Sequence, residues 1–214
     1  MPRRNLRTTL TAFIRTLNEG RRFAAEAYSW ASRTPGHRPT ISVRRRNSIT
    51  EHAFLHSFLA WEAFLEESFV LYLSGQRPPR GRAPQRYSFP PNIQIAMDWV
   101  VPEGKDYAMW TIANHVANRA ERFFRHGAPY ASVLRGNQNT LDELRILRNA
   151  IAHSSTSVRR KFETLVRNRL GILPMNLTVG AFLWTSIPAS HPPRAFIEDY
   201  LNRIEFIARQ IVPS

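Results

Sequence analysis

The segment that decides the fold is LDELRILRNAIAHSS, residues 141–155. Its apolar residues Leu144, Leu147 and Ile151 recur every three or four positions, which is the spacing of one face of an α-helix. The pattern therefore predicts a short amphipathic helix that packs this face on a core.

Capping boxes mark the predicted starts of two helices. Thr140 can accept a hydrogen bond from the backbone N–H of Glu143, whose side chain can reach back to Thr140. Ser48 and Glu51 repeat this pattern three residues apart. The second box predicts a long central helix over residues 49–74.

Another face of the 141–155 helix is polar. Arg145, Asn149 and His153 follow each other at i, i+4 and i+8, and Arg148 borders them. A guanidinium charge suits a phosphate, an amide can orient a ligand, and an imidazole carries a proton near neutral pH. This face is a candidate phosphodiester site, although the helix dipole also explains cations near a helix C-terminus.

Two further apolar residues, Ile146 and Ala150, lie on neither of these faces. The helix is therefore apolar on two sides, which is typical of a helix packed between its own bundle and another surface. The simplest such surface is a second subunit.

Two segments carry a family resemblance. RNAIAH, residues 148–153, resembles the Arg-x4-6-His signature of the HEPN superfamily, with Asn149 as the polar residue that usually follows the Arg. WEAFLEESF, residues 61–69, looks like the early core helix of bacterial HEPN-like nucleases of defence and toxin–antitoxin systems. In the order of its elements, the resemblance spans roughly residues 50 to 210.

The resemblance implies an all-α fold, an HEPN-like up-and-down bundle of four to six helices with long basic loops. It implies metal-independent RNA cleavage without a cofactor, in which the ribose 2′-OH attacks the adjacent phosphate. His153 would carry the proton, Arg148 would neutralise charge on the phosphate, and Asn149 would hold the imidazole or a phosphate oxygen. Arg145 lies on the polar face, and Arg159 and Arg160 follow His153 on a predicted basic helix, so these three are the expected RNA-binding cations.

In the family, two such motifs face each other across a shared cleft, and this chain has one copy, so a homodimer is implied. A toxin or anti-phage defence effector of this type would have an antitoxin or defence-system partner. Some toxin members carry a modified Tyr two residues after the His; Ser155 stands there, so control by its adenylylation is not expected. The alternative is a non-catalytic HEPN-like module that binds RNA or a protein.

Composition limits the class of protein. With 214 residues and 43% hydrophobic content, the chain can bury one sizeable core. We expect a single domain over 1–214, with a core at about 48–212 and an N-terminal helix and basic connector over 1–47. The absence of Cys excludes disulfides, thiolate catalysis and Cys-ligated zinc.

Charge and hydropathy suggest the partner and the compartment. The 30 basic and 16 acidic residues give a formal charge of +14, which favours a polyanionic partner such as RNA. No helix-turn-helix or zinc motif accompanies the charge, which disfavours a DNA-binding protein. No apolar run approaches the ~20 residues of a membrane helix, so a cytoplasmic protein is expected.

The remaining segments are assigned by periodicity and by turn residues. Further helices are predicted over residues 1–31, with a bend at Gly20, and over 106–125, 157–170 and 194–212. Loops are predicted over residues 33–47, 76–92 and 130–139. Residues 177–184 form a β-prone run. His52 and His56 have the spacing of zinc ligands, but no third ligand accompanies them, so no metal site is predicted.

Overall fold

The computed structural model describes residues 5–32 and 38–214. In these ranges the chain forms α-helices, one turn of 3₁₀ helix and no β-strand, which confirms the all-α fold class. None of these helices combines the length and hydrophobicity that a membrane crossing requires.

The described residues form more helices than the four to six expected. Five have 15 or more residues: α1 (Leu6–Ala31), α2 (Val43–Leu73), α6 (Gln138–Ala152), α7 (Thr156–Leu170) and α9 (Phe196–Ile211). Four are shorter: α3 (Ile93–Val100), α4 (Ala113–Phe123), α5 (Tyr130–Gly136) and α8 (Val179–Leu183). The 3₁₀ turn spans Arg125–Gly127.

The chain divides into two compact units. The first comprises Met1–Arg15, Ala60–Asp142 and Ile204–Ser214, and the second comprises Thr16–Leu59 and Glu143–Arg203. Four of the long helices, α1, α2, α6 and α9, contribute residues to both units. The single domain expected over 1–214 stays a prediction.

An aromatic cluster forms the core of the first unit. Phe69 of α2 contacts Phe124 and Tyr130, with ring centroids 5.0 and 5.1 Å apart. The Tyr130 hydroxyl lies 2.9 Å from the hydroxyl of Ser68, and the Tyr72 hydroxyl donates to a backbone carbonyl of α9 at 2.8 Å. The hydroxyl groups of Tyr72 and Tyr130 therefore have hydrogen-bond partners, as burial of a polar group favours.

The core of the second unit is built from α6, α7, α8 and α9. Phe182 stacks on Phe196 with centroids 4.6 Å apart and meets Phe162 edge to face at 5.9 Å. Leu144 and Leu147 of α6 are fully buried and Ile151 is half-buried, which confirms the predicted apolar face at two of its three residues.

The first capping box is wrong. α6 begins at Gln138, so Thr140 lies inside the helix and is buried. The Glu143 carboxylate accepts hydrogen bonds from Arg169 and Tyr200 instead of reaching back to Thr140. Partners from other helices therefore replace the local cap, and part of the loop predicted over 130–139 is helical.

The second capping box is also wrong. α2 begins at Val43, which places Ser48 and Glu51 within the helix. Glu51 accepts a hydrogen bond from the backbone N–H of Gly180 at 2.8 Å, so its side chain again serves a tertiary contact. The start of α2 also takes residues 43–47 out of the predicted connector, whose residues 33–37 lie outside the described ranges.

The predicted end of α2 is confirmed. The N–H of Gln76 donates to the Leu71 carbonyl, and the N–H of Gly75 donates to the Tyr72 carbonyl. Gly75 has a φ of 90°, and this pair of hydrogen bonds is the Schellman motif that glycine favours at a helix end.

Gly20 serves helix packing. α1 continues through this residue to Ala31. A Cβ at Gly20 would lie 2.5 Å from the Ser57 hydroxyl oxygen of α2 and 3.4 Å from the Ala53 carbonyl oxygen. The missing side chain therefore lets α1 approach α2 closely within the second unit, and no helix end occurs there.

Several other boundaries differ from the prediction. The helix expected over 106–125 begins only at Ala113, and the β-prone run 177–184 forms α8. Thr178 caps α8 by accepting from the N–H of Ala181 at 3.1 Å, so a local cap overrides β propensity. The helices expected over 157–170 and 194–212 are confirmed within two residues, as is the non-helical 76–92 segment.

Candidate functional site

His153 lies at the junction of α6 and α7 in the second unit. Its backbone N–H donates to the Asn149 carbonyl at 2.9 Å and so completes the last turn of α6. Ser155 caps α7 by accepting from the N–H of Val158 at 3.4 Å. The His153 side chain is exposed and is available to a ligand.

An open cavity of about 540 Å³ adjoins His153. Arg159 and Glu163 of α7, Glu51 of α2 and the 173–179 segment contribute to its lining. This volume lies in the range of ordinary small-molecule and cofactor sites. His153 therefore borders a space large enough for a nucleotide-sized group.

Arg159 and Glu163 form an ion pair at the cavity. Arg159 Nε lies 3.0 Å from Glu163 Oε1, and the side chains are 77% and 29% exposed. An ion pair at such an exposed position contributes only about 0–1 kcal/mol, so a phosphate can compete for the guanidinium. Arg159 therefore supplies positive charge in the cavity that His153 lines.

The contact between α2 and α8 forms part of the cavity wall. The Glu51 carboxylate accepts from the N–H of Gly180 at 2.8 Å, and the Asn47 side-chain amide lies 3.3 Å from the Thr178 hydroxyl. A Cβ at Gly180 would lie 2.2 Å from the Asn47 carbonyl oxygen. Only glycine permits this approach, so the position of the wall depends on Gly180.

Arg148 and Asn149 do not line this cavity. Arg148 Nη1 donates to the Asn149 side-chain oxygen at 3.2 Å, and Arg148 Nε is buried without a hydrogen-bond partner in the described part of the chain. Five residues at about 100° each place Arg148 roughly 140° around the helix from His153. The structure therefore pairs Arg148 with Asn149, whereas His153 and Arg159 line the same cavity.

The other two predicted RNA-binding cations lie outside the cavity lining as well. Arg145 is half-buried on α6, and Arg160 is exposed on α7. Of the six predicted site residues, His153 and Arg159 thus share one cavity.

Sequence reasoning missed two carboxylates of the cavity. Glu163 lies four residues after Arg159 on α7, and this spacing was a usable signal for an ion pair. Glu51 lies far from His153 in sequence, and no local pattern indicates their proximity. Its assignment to a capping box concealed its tertiary role.

Metal-binding geometry is not found in residues 5–32 and 38–214, where no group of three or more His, Cys, Asp or Glu side chains is arranged to hold an ion. His52 Nδ1 lies 2.7 Å from the Ser48 carbonyl oxygen, one helical turn away. This ring nitrogen is therefore used within α2.

No protein-family model, curated protein or solved structure matches this chain. The resemblance to the HEPN superfamily therefore depends on residues 148–153 and 61–69 alone. The functional argument depends on the residues themselves.

Proposed function

We propose that this protein is a metal-independent endoribonuclease of HEPN type in which His153 carries the proton. One observation supports this function most directly. An exposed imidazole and an exposed guanidinium, those of His153 and Arg159, line one open cavity in a chain of formal charge +14. These groups suit proton transfer and phosphate binding.

The proposed reaction needs only RNA. The 2′-oxygen of one ribose bonds to the adjacent phosphorus, and the bond from phosphorus to the 5′-oxygen of the next nucleotide breaks. His153 removes the proton from the 2′-OH or delivers a proton to the leaving 5′-oxygen. Arg159 neutralises the charge that builds on the phosphate oxygens in the transition state. The products are a 2′,3′-cyclic phosphate and a 5′-OH.

The second proton-transfer group is proposed to come from another protomer. Each chain supplies one His153, whereas the reaction benefits from both a base and an acid. Ile146 and Ala150 of α6 are only half-buried; Ala150 lines the His153 cavity, and the apolar surface of Ile146 is partly free for a partner helix. A homodimer would also bring a second Arg148 and Asn149 to a composite site.

The biological role in this proposal depends on the family resemblance. The enzyme would act on RNA in the cytoplasm as a toxin or an anti-phage defence effector. An antitoxin or a defence-system partner would restrain it. Residue 155 is a serine that caps α7, whereas some toxin members carry a modified Tyr there. Control by adenylylation of that Tyr is therefore not part of the proposal.

One observation favours a second candidate, a non-catalytic module that binds RNA or a protein. Arg148, the first residue of the signature, contacts Asn149 and lies outside the cavity of His153. In this alternative, Arg148 serves the structure of α6 and His153 serves binding alone.

Cleavage of RNA in EDTA distinguishes the two candidates. The purified protein should release fragments that end in a 2′,3′-cyclic phosphate, identified by mass spectrometry. His153→Ala should lower the rate about 100-fold to 10,000-fold, because a general acid–base group contributes on that order. His56→Ala, at another exposed histidine of the second unit, is the matched control.

A substrate with a 2′-deoxy group at a mapped cleavage position tests the nucleophile. This substrate should bind but resist cleavage there. RNA binding without cleavage by wild type would support the binding module. Equal cleavage by wild type and His153→Ala would contradict the proposed role of His153.

A further inference from the structure

A second cavity lies wholly within the first unit. It has a volume of about 400 Å³ and is lined by the end of α3, residues 101–103 and one face of α4. The expected nuclease function uses none of these residues.

The α4 side of this cavity is polar. His115, Asn118, Arg119 and Arg122 follow each other at i, i+3, i+4 and i+7, so they share one face of the helix. All four line the cavity. An imidazole, an amide and two guanidinium groups thus converge on one space from a single rigid element.

Arg119 is a buried cation, and few contacts offset the cost of removing its charge from water. Its side chain packs with the guanidinium carbon 4.5 Å from the centre of the Trp110 ring, and Nη1 donates to the Met109 carbonyl at 3.3 Å. The residue is only 8% exposed. Burial, and then the charge of Arg122, lower the pKa of Arg119, with Glu66 opposing them.

Neither Arg119 nor Arg122 forms an ion pair within the part of the chain that the structure describes. Two neighbouring positive charges without a bound carboxylate favour an anion, and guanidinium groups bind phosphate oxygens with short, charge-assisted hydrogen bonds. The contacts with Trp110 and Met109 hold Arg119 in place before a ligand arrives. The cavity therefore suits a phosphate.

An aromatic side chain adds a surface for a base. Trp99, near the end of α3, lines the cavity and is 45% exposed. An exposed indole face can stack on any nucleobase, and this interaction tolerates sequence differences. Glu103 also lines the cavity, and its carboxylate can accept hydrogen bonds from ribose hydroxyl groups. A simple inorganic anion would use none of these groups.

We propose that this cavity binds a nucleoside monophosphate unit, with its phosphate on Arg119 and Arg122 and its base on Trp99. The unit is either a free nucleotide or one residue of a single-stranded RNA. The site is separate from the His153 cavity and does not depend on cleavage.

Binding is measured with the full chain carrying His153→Ala, so that cleavage cannot consume the probe. The probes are inorganic phosphate, UMP, AMP, ten-residue oligo(U) and oligo(A), and an RNA duplex of equal length. UMP or the single strands should bind more tightly than inorganic phosphate. The single strands should also bind more tightly than the duplex.

Three substitutions locate the site. Arg122→Gln, at an exposed residue, should raise the Kd for the nucleotide probes on the order of tenfold, because it removes a charge-assisted contact. Trp99→Leu should raise the Kd similarly while keeping a helix-forming residue in α3. Arg45→Gln removes an equal charge at an exposed position far along the chain and should change the Kd little.

The probe that binds best identifies the source of the nucleotide. A preference for UMP or AMP indicates a free nucleotide, and a much tighter single strand indicates RNA. Equal weakening by Arg122→Gln and Arg45→Gln would overturn the proposal, because general charge would then explain binding. It would also be overturned if the His153→Ala chain bound UMP, AMP and the single strands no more tightly than inorganic phosphate. Neither result bears on His153.

Discussion

Glu143 of α6 and Arg169 of α7 form an ion pair inside the second unit. Glu143 Oε2 accepts from Arg169 Nη2 at 2.6 Å and from Nε at 3.1 Å, and it also accepts from the Tyr200 hydroxyl of α9 at 2.8 Å. The hydrogen bond from Arg169 to Glu143 raises the pKa of the guanidinium further. One carboxylate oxygen thus joins three helices.

Removal of this carboxylate should destabilise the protein. Glu143→Ala leaves the buried Tyr200 hydroxyl and Arg169 without their acceptor, and we expect the free energy of unfolding to fall by about 2–3 kcal/mol. Urea denaturation checks this value. Glu26→Ala, at the exposed pair with Arg22, is the control and should cost under about 1 kcal/mol. Equal losses for the two variants would contradict the structural role of Glu143.

Stability should fall in alkaline solution. Burial raises the pKa of Tyr72, Tyr130 and Tyr200 above the ordinary value of 10.0. Below pH 10 these hydroxyls are protonated in both states, whereas above it the unfolded chain ionises first. The free energy of unfolding should therefore fall above pH 10, by up to about 1.4 kcal/mol per pH unit for each tyrosine.

Urea denaturation between pH 9 and 11 measures this slope. Tyr200→Phe should make the slope shallower by one tyrosine's contribution, because the variant has no hydroxyl to ionise there. Tyr107→Phe, at a 68% exposed side chain, is the control and should keep the wild-type slope. If Tyr200→Phe left the slope unaltered, ionisation of Tyr200 would not contribute to the loss of stability at high pH.

Gly180 should not tolerate a side chain. A Cβ there would lie 2.2 Å from the Asn47 carbonyl oxygen, a backbone atom that cannot move aside cheaply. Gly180→Ala should lower the free energy of unfolding by about 1–3 kcal/mol. Gly136→Ala is the matched control, because a Cβ at Gly136 in α5 meets nothing within 4 Å. It should raise stability by up to about 1 kcal/mol.

Thermal unfolding of the two alanine variants, followed by circular dichroism, gives the comparison. Gly180→Ala should have the lower midpoint and Gly136→Ala the higher one. Midpoints displaced in the same direction would mean that glycine flexibility, and not the approach of α8 to α2, dominates at both positions.

Arg159 and Glu163 should affect RNA binding in opposite directions. Arg159→Gln removes a phosphate contact, so RNA affinity should fall and the slope of log K against log salt should decrease by about 0.7. Glu163→Gln removes a carboxylate that competes with phosphate for Arg159, so affinity should rise. Fluorescence anisotropy with a labelled RNA in the His153→Ala background measures both. Weaker binding by both variants would contradict this competition.

Periodic apolar patterns predicted the main helices because burial of one helix face is a local property of the sequence. Leu144 and Leu147 marked the buried face of α6, and the pattern of α9 was located within two residues. Helix starts were less predictable. Thr140 with Glu143, and Ser48 with Glu51, have the residue types of capping boxes, but their acidic side chains bond to distant segments.

The site was only partly predictable for the same reason. His153 and Arg159 were identified from a local polar stripe and a basic helix, and they do share a cavity. Glu51 was not found, because only the folded chain brings α2 beside α7 in this cavity. The burial of Arg119 against Trp110 could not be predicted either, because it depends on the contact of α4 with the segment before it.

The link between α6 and α7 contains only residues 153–155, and each flanking helix has 15 residues. His153 closes the last turn of one helix, and Ser155 caps the first turn of the next. The backbone that carries the imidazole is therefore held on both sides, and little backbone entropy is lost when a ligand binds. An extra residue inserted in this link would displace the imidazole while both helices remained intact.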